Sequence, residues 1–177
     1  MQQSLGTLIG AVFGTVFIFV NAGDPLPVAV AMALQILAGI GLVVVIVGGI
    51  AAHRRTGDAP TRSAPPMFGG RYWIVVVLEA VAILGGAALL KELGAPVEAT
   101  VAWVALVVGV HFIPLASVWK EASMLIPAYA LTVLGAAGII MAFTSAAPWT
   151  PIVAGVASGV VLLGGCLYST IHSLRTA

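Results

Sequence analysis

Apolar residues come in six long runs, about 5–22, 26–50, 72–90, 98–118, 123–143 and 150–172, each bounded by proline, glycine or charge. Turns such as Gly23-Asp24-Pro25 and Gly94-Ala95-Pro96 mark two of the breaks. A helix rises about 1.5 Å per residue and a bilayer's hydrocarbon core is about 30 Å thick, so about 20 apolar residues make one span. The alternation of a β-barrel is absent, and lipid leaves helices as the only other way to pair the backbone. The expected fold is all-α and integral to the membrane. It has six transmembrane helices in a single domain over residues 1–177.

The runs pair into hairpins. Gly14 precedes Pro25 by eleven residues, Gly85 precedes Pro96 by eleven, and Gly138 precedes Pro148 by ten. Each proline then opens a run with a central glycine: Gly39, Gly109 or Gly159. The chain therefore reads as three helical hairpins, a pseudo-repeat of the kind that places sites at repeat interfaces. Gly6, Gly10 and Gly14 form a four-residue ladder on the first run, and Gly155 and Gly159 repeat the step on the sixth. Such ladders let helix backbones approach closely, within one chain or between copies. Pro114 and Pro127 are each expected to remove a backbone hydrogen bond within a span.

Composition settles the solvent. Of 177 residues, 61% are hydrophobic and 7% charged, and the formal net charge is +1. Soluble domains carry about 25% charged residues. The near-zero charge and the one cysteine also exclude disorder, nucleic-acid binding and a disulfide scaffold.

Lys and Arg set the orientation. With the N-terminus inside, Arg54, Arg55, Arg62, Arg71, Lys120 and Arg175 are cytoplasmic and only Lys91 is external. Both termini then lie in the cytoplasm, as expected for a multi-pass protein of a bacterial plasma (inner) membrane. Tyr72, Trp73, Trp119 and Trp149 fall at span ends, where amphipathic rings are favoured. Residues 1–22 have no basic leader region or small-x-small cleavage site, so they read as the first span and not as a signal peptide. Residues 51–71 form a basic cytoplasmic loop, either a solvated linker or a contact for anionic lipid heads.

Ionisable groups inside a span are costly and are functional candidates by default. Glu79 is the one acid well inside a span, and His111 is its counterpart on the next. Glu79 lies seven residues from Tyr72 and His111 seven from Val118. Both are therefore about 10 Å from the cytoplasmic boundary. Two readings stand: a proton- or ligand-carrying pair in a cytoplasm-facing pocket, or an interhelical hydrogen bond that fixes packing. Tyr129, Cys166 and Tyr168 fall at similar depth, so a shared polar layer is expected. Gln35 suits a cross-helix bond or a substrate contact, and Trp103 a core or lipid-facing ring or a ligand platform. Cys166 reads as a small hydrophobe.

Several chemistries are missing. There is no metal-binding Cys/His cluster, no H-E-x-x-H, no P-loop and no dinucleotide fingerprint, so no metal or cofactor is expected. Ser117 to Lys120 matches S-x-x-K, but without its companion motifs. The only aspartates are Asp24 and Asp58, which leaves no aspartate-rich site for magnesium diphosphate. An intramembrane enzyme that protonates a lipid or isoprenoid needs only one acid in an aromatic pocket. Glu79 as acid with Tyr72, Trp73, Trp103 and Tyr129 would supply that. That enzyme is the second reading. The leading one is a small transport or membrane-stress protein with a cytoplasm-open pocket at Glu79 and His111. Since six short helices form a thin pore wall, a transporter is expected to be a homo-oligomer. A structural or partner-binding role is the third.

Two resemblances add to this. The second hairpin begins Arg71-Tyr72-Trp73, passes Glu79 and Gly85-Gly86, turns at Pro96 and reaches Gly109. It resembles the repeated hairpin of HdeD-type bacterial acid-resistance membrane proteins, which implies six spans and a membrane-stress role. Gly109, His111, Phe112, Pro114, Leu115 and Ala116 resemble the G-x-H-F-x-P-L-A signature of small, uncharacterised bacterial membrane proteins. Neither resemblance implies a reaction.

Overall fold

The computed structural model describes residues 2–56 and 69–176, and among these there is no strand. Six long helices follow one another: α1 (Gln2–Asn21), α2 (Val28–Thr56), α3 (Gly70–Glu92), α4 (Glu98–Trp119), α5 (Leu125–Ala142) and α6 (Ala157–Thr176). A short 3₁₀ turn (Ala122–Met124) leads into α5. Another (Ala147–Trp149) and a π turn (Pro151–Val156) lead into α6. Five helical stretches are long and apolar enough to cross a membrane; the apolar part of α1, Leu5–Asn21, is shorter. The fold is all-α, and these helices suit a membrane-embedded protein.

The ends obey local chemistry. Gly94 (φ +67°) follows α3, where Ala95 N–H donates to the Leu90 carbonyl (2.9 Å) and Gly94 N–H to that of Lys91 (3.1 Å). This is the Schellman closure, and its left-handed residue is the glycine that tolerates it. Lys120 closes α4 in the same left-handed region (φ 54°), with Glu121 N–H donating to the Ala116 carbonyl (3.0 Å).

The boundaries correct two expectations. The basic loop does not begin at residue 51, because α2 continues to Thr56. No glycine or proline interrupts residues 51–56, and His53, Arg54 and Arg55 oppose the negative end of the helix dipole. Arg71 likewise belongs to α3, whereas Asp58 and Arg62 lie outside the described residues. Pro127 sits in the first turn of α5, where amide hydrogens have no intrahelical partner, so it breaks nothing. Pro114 does lie inside α4.

Glycines decide which helices meet. The most extensive contacts join α4 to α5 and α1 to α6, across the hairpins, while each hairpin's own helices also touch. A Cβ on Gly135 would collide with the backbone of Leu106, and one on Gly109 with that of Thr132. The predicted ladder on α1 meets the one on the sixth span within the same chain. A Cβ on Gly14 would lie 2.8 Å from the Gly159 carbonyl oxygen, and one on Gly10 2.9 Å from Cys166 Sγ. The π turn extends this hub to α1, α4 and α5, with Ala154, Gly155 and Val156 buried. By contrast α3 packs substantially against α4 alone, and none of its residues is buried.

Candidate functional site

Half-buried positions on α3 recur at Tyr72, Val76, Glu79, Ile83 and Gly86, the three- and four-residue steps of one helix face. That face lies against α4 and is joined to it at three levels. Near the turn, Trp103 Nε1–H donates to the Ala82 carbonyl (2.9 Å), and its indole covers Gly86 so closely that a Cβ there would overlap it. Eight residues along α4, His111 Nδ1 lies 3.2 Å from Glu79 Oε1. A further eight residues on, Trp119 stacks on Tyr72 with centroids 5.8 Å apart, and Trp73 meets Tyr72 edge-on at 5.5 Å. Each eight-residue step is about 12 Å, so the three contacts span most of the hairpin.

The middle contact is the chemical one. His111 Nδ1 also lies 3.2 Å from the Val108 carbonyl oxygen. A carbonyl only accepts, so this contact assigns the hydrogen to Nδ1, which donates to Val108 while the Glu79 carboxylate lies alongside it in ion-pair contact. The Phe112 ring lies 4.9 Å from the imidazole. The side chains of His111 and Glu79 retain 12% and 18% of their accessible surface, so the pair is sheltered without being sealed. A carboxylate bonded to an imidazole in apolar surroundings can exchange a proton or accept the polar end of a ligand.

Comparison with protein-family models, curated proteins and solved structures finds no match to this chain.

Of the residues singled out above, Tyr72 and Trp103 join Glu79 and His111 on the α3–α4 seam. Trp73 borders it, with its ring largely exposed. Gln35 Nε2 instead reaches α1, donating to the carbonyls of Phe19 (3.2 Å) and Ala22 (3.3 Å). The last carbonyls of a helix have no intrahelical partner, so this cross-helix bond closes the end of α1. Tyr129 on α5 and Tyr168 on α6 are 58% and 74% exposed and point outward; Tyr168 stacks on His172 at 6.2 Å. Cys166 packs near Gly10 and Leu163. The expected polar layer thus reduces to the Glu79–His111 pair. Among the described residues, no group of three or more His, Cys, Asp or Glu is placed to hold a metal ion.

Sequence reasoning missed two grooves along α2. One, of about 480 Å³, is lined by residues that include Phe19, Met32, Gln35 and Val44. The other, of about 330 Å³, is lined by Val47, Ile50, Ala51, Arg54 and Arg55. Apolar residues surround α2 on all sides, so hydrophobic periodicity carries no sign of a groove.

Proposed function

We propose that the chain is a six-span protein of a bacterial inner membrane, with both termini cytoplasmic, and that Glu79 and His111 form a proton-carrying site on its cytoplasmic half. Its role is transport or membrane-stress response. The observation that carries this reading is the 3.2 Å carboxylate–imidazole contact on apolar helices. The sidedness is supported by the clustering of Arg54, Arg55, Arg71, Lys120 and Arg175 at helix ends remote from Lys91. The Arg55 bond to the Leu174 carbonyl (3.3 Å) and the Tyr72–Trp119 stack bring four of those ends together in pairs.

The test is proton flux into liposomes holding a trapped pH dye, driven by a potassium diffusion potential. Wild type conducts above empty vesicles, and Glu79→Gln and His111→Phe each return flux to that background. Wild-type flux no greater than in empty vesicles, or unchanged flux in a correctly folded Glu79→Gln variant, refutes the reading.

A second reading has an observation of its own. Because α3 has one substantial neighbour, the pair also acts as a clamp between α3 and α4. In that case both variants lower stability, and no flux distinguishes wild type from empty vesicles. The lipid- or isoprenoid-protonating enzyme gains no such support, since Tyr129 faces outward and the Trp103 N–H is taken by Ala82.

A further inference from the structure

The two grooves on α2 follow one another along the helix as a lane. Their lining residues Met32, Ile36, Ile40, Val43, Val47, Ile50 and Arg54 step by three or four along the helix, so they share one face. Apart from Gln35 in the larger groove, the lane is apolar until its last turn, where Arg54 and Arg55 line the smaller groove. Arg55 is steadied there by its bond to the Leu174 carbonyl of α6. From Arg54 back to Val43 and Val44 is about 16 Å at the helical rise, close to half of a hydrocarbon core of about 30 Å. The smaller groove and the approach to the larger one therefore match the depth of one leaflet, with both cations at the headgroup level.

We infer that this lane binds one anionic phospholipid of the surrounding bilayer. Its phosphate lies between Arg54 and Arg55, and an acyl chain runs past Ala51, Ile50 and Val47 toward Val43. The charge complementarity selects the occupant. A guanidinium binds phosphate through paired N–H donors, and two adjacent guanidiniums disfavour a cationic or zwitterionic head relative to an anionic one. An apolar groove continuous with those cations favours a lipid over a soluble phosphate, which would leave the groove empty. The site is separate from the Glu79–His111 pair and does not depend on its role.

The experiment is native mass spectrometry of the full-length protein released from detergent, titrated with phosphatidylglycerol or with phosphatidylcholine of the same acyl chains. Wild type retains one phosphatidylglycerol in preference to phosphatidylcholine. Arg54→Gln/Arg55→Gln weakens that binding about thirtyfold, from the attraction expected of two basic residues near a lipid surface. Arg71→Gln/Arg175→Gln removes equal charge outside the lane and leaves binding within about threefold. Val47→Trp fills the groove without changing charge and also abolishes retention, a test independent of whether the arginine variant folds. Equal loss in both arginine pairs, or full retention in Val47→Trp, overturns the proposal. So does equal binding of the two lipids, or a dimer that Val47→Trp dissolves, which would make a second copy the occupant.

Discussion

Gly159 and Gly164 lie five residues apart on α6, and alanine at each should change stability in opposite directions. A Cβ on Gly159 would lie 2.5 Å from the Gly14 carbonyl oxygen, 2.7 Å from Ile18 Cγ1 and 3.0 Å from Phe17 Cβ. Carbon atoms in ordinary contact sit about 3.5–4.0 Å apart, so α1 and α6 must separate by about 1 Å. No rotamer change relieves this, because one obstacle is backbone. Overpacking of this kind costs about 1–3 kcal/mol, and the helix preference of alanine over glycine recovers at most about 1 kcal/mol. The net expectation for Gly159→Ala is a loss of about 1–2 kcal/mol. At Gly164 a Cβ meets nothing within 4 Å, so Gly164→Ala changes only the backbone term and stabilises by up to about 1 kcal/mol. Reversible unfolding in mixed micelles with rising dodecyl sulfate, followed by tryptophan fluorescence and circular dichroism, measures both. Equal signs, or values within about 0.5 kcal/mol of each other, would mean that the Gly14–Gly159 contact does not hold α1 to α6.

Three further outcomes use the same assay. Trp103→Phe removes the donor to the Ala82 carbonyl and should lose about 1 kcal/mol, whereas Trp73→Phe, at a largely exposed ring, should stay within about 0.5 kcal/mol; equal effects would count against Trp103 as a tether. Lys120→Gly relieves a side chain held at φ 54° and should gain about 1 kcal/mol, with a loss showing that the lysine itself holds the α4 end. A double-mutant cycle with Glu79→Leu and His111→Phe should give a coupling of about 0.6–1.7 kcal/mol, the range of interhelical polar contacts in membranes, and strict additivity would deny the 3.2 Å contact.

The level of a residue along its helix is legible from residue counting, but direction around each helix is not. Glu79 and His111 count to one level and the short turn through Gly94 makes their helices neighbours, but that their side chains meet is seen only in the structure. Tyr129 and Tyr168 were counted to a similar level and face outward, because their rotation depends on which neighbours α5 and α6 choose. That choice is made by Gly109 and Gly135 at the α4–α5 contact, and by Gly14 and Gly159 at the α1–α6 contact. Gly14 and Gly159 stand out in the sequence as members of ladders and Gly109 as a central glycine, whereas Gly135 carries no such mark. Which partner each would meet is not visible there, since the apolar residues around them are nearly uniform and carry little directional signal. The Arg54–Arg55 groove escaped notice for a related reason. Those residues read as loop until α2 is seen to continue through them.

The attachment of α3 makes the functional question separable from the structural one. In lipid no hydrophobic drive holds one helix to another, so α3 depends on specific contacts with α4. Among the described residues these include the Trp103 bond beside Gly86, the Glu79–His111 pair, and the Tyr72–Trp119 stack. The outer two bracket the pair along the hairpin and involve neither of its residues. Glu79→Gln keeps the shape of the side chain, so it removes the ionisable group while leaving the two outer links in place. A helix fastened only through Glu79 would confound loss of function with loss of fold. This one is fastened on either side of it, so flux lost from a variant that unfolds like wild type reports on the carboxylate's proton and not on the packing of α3.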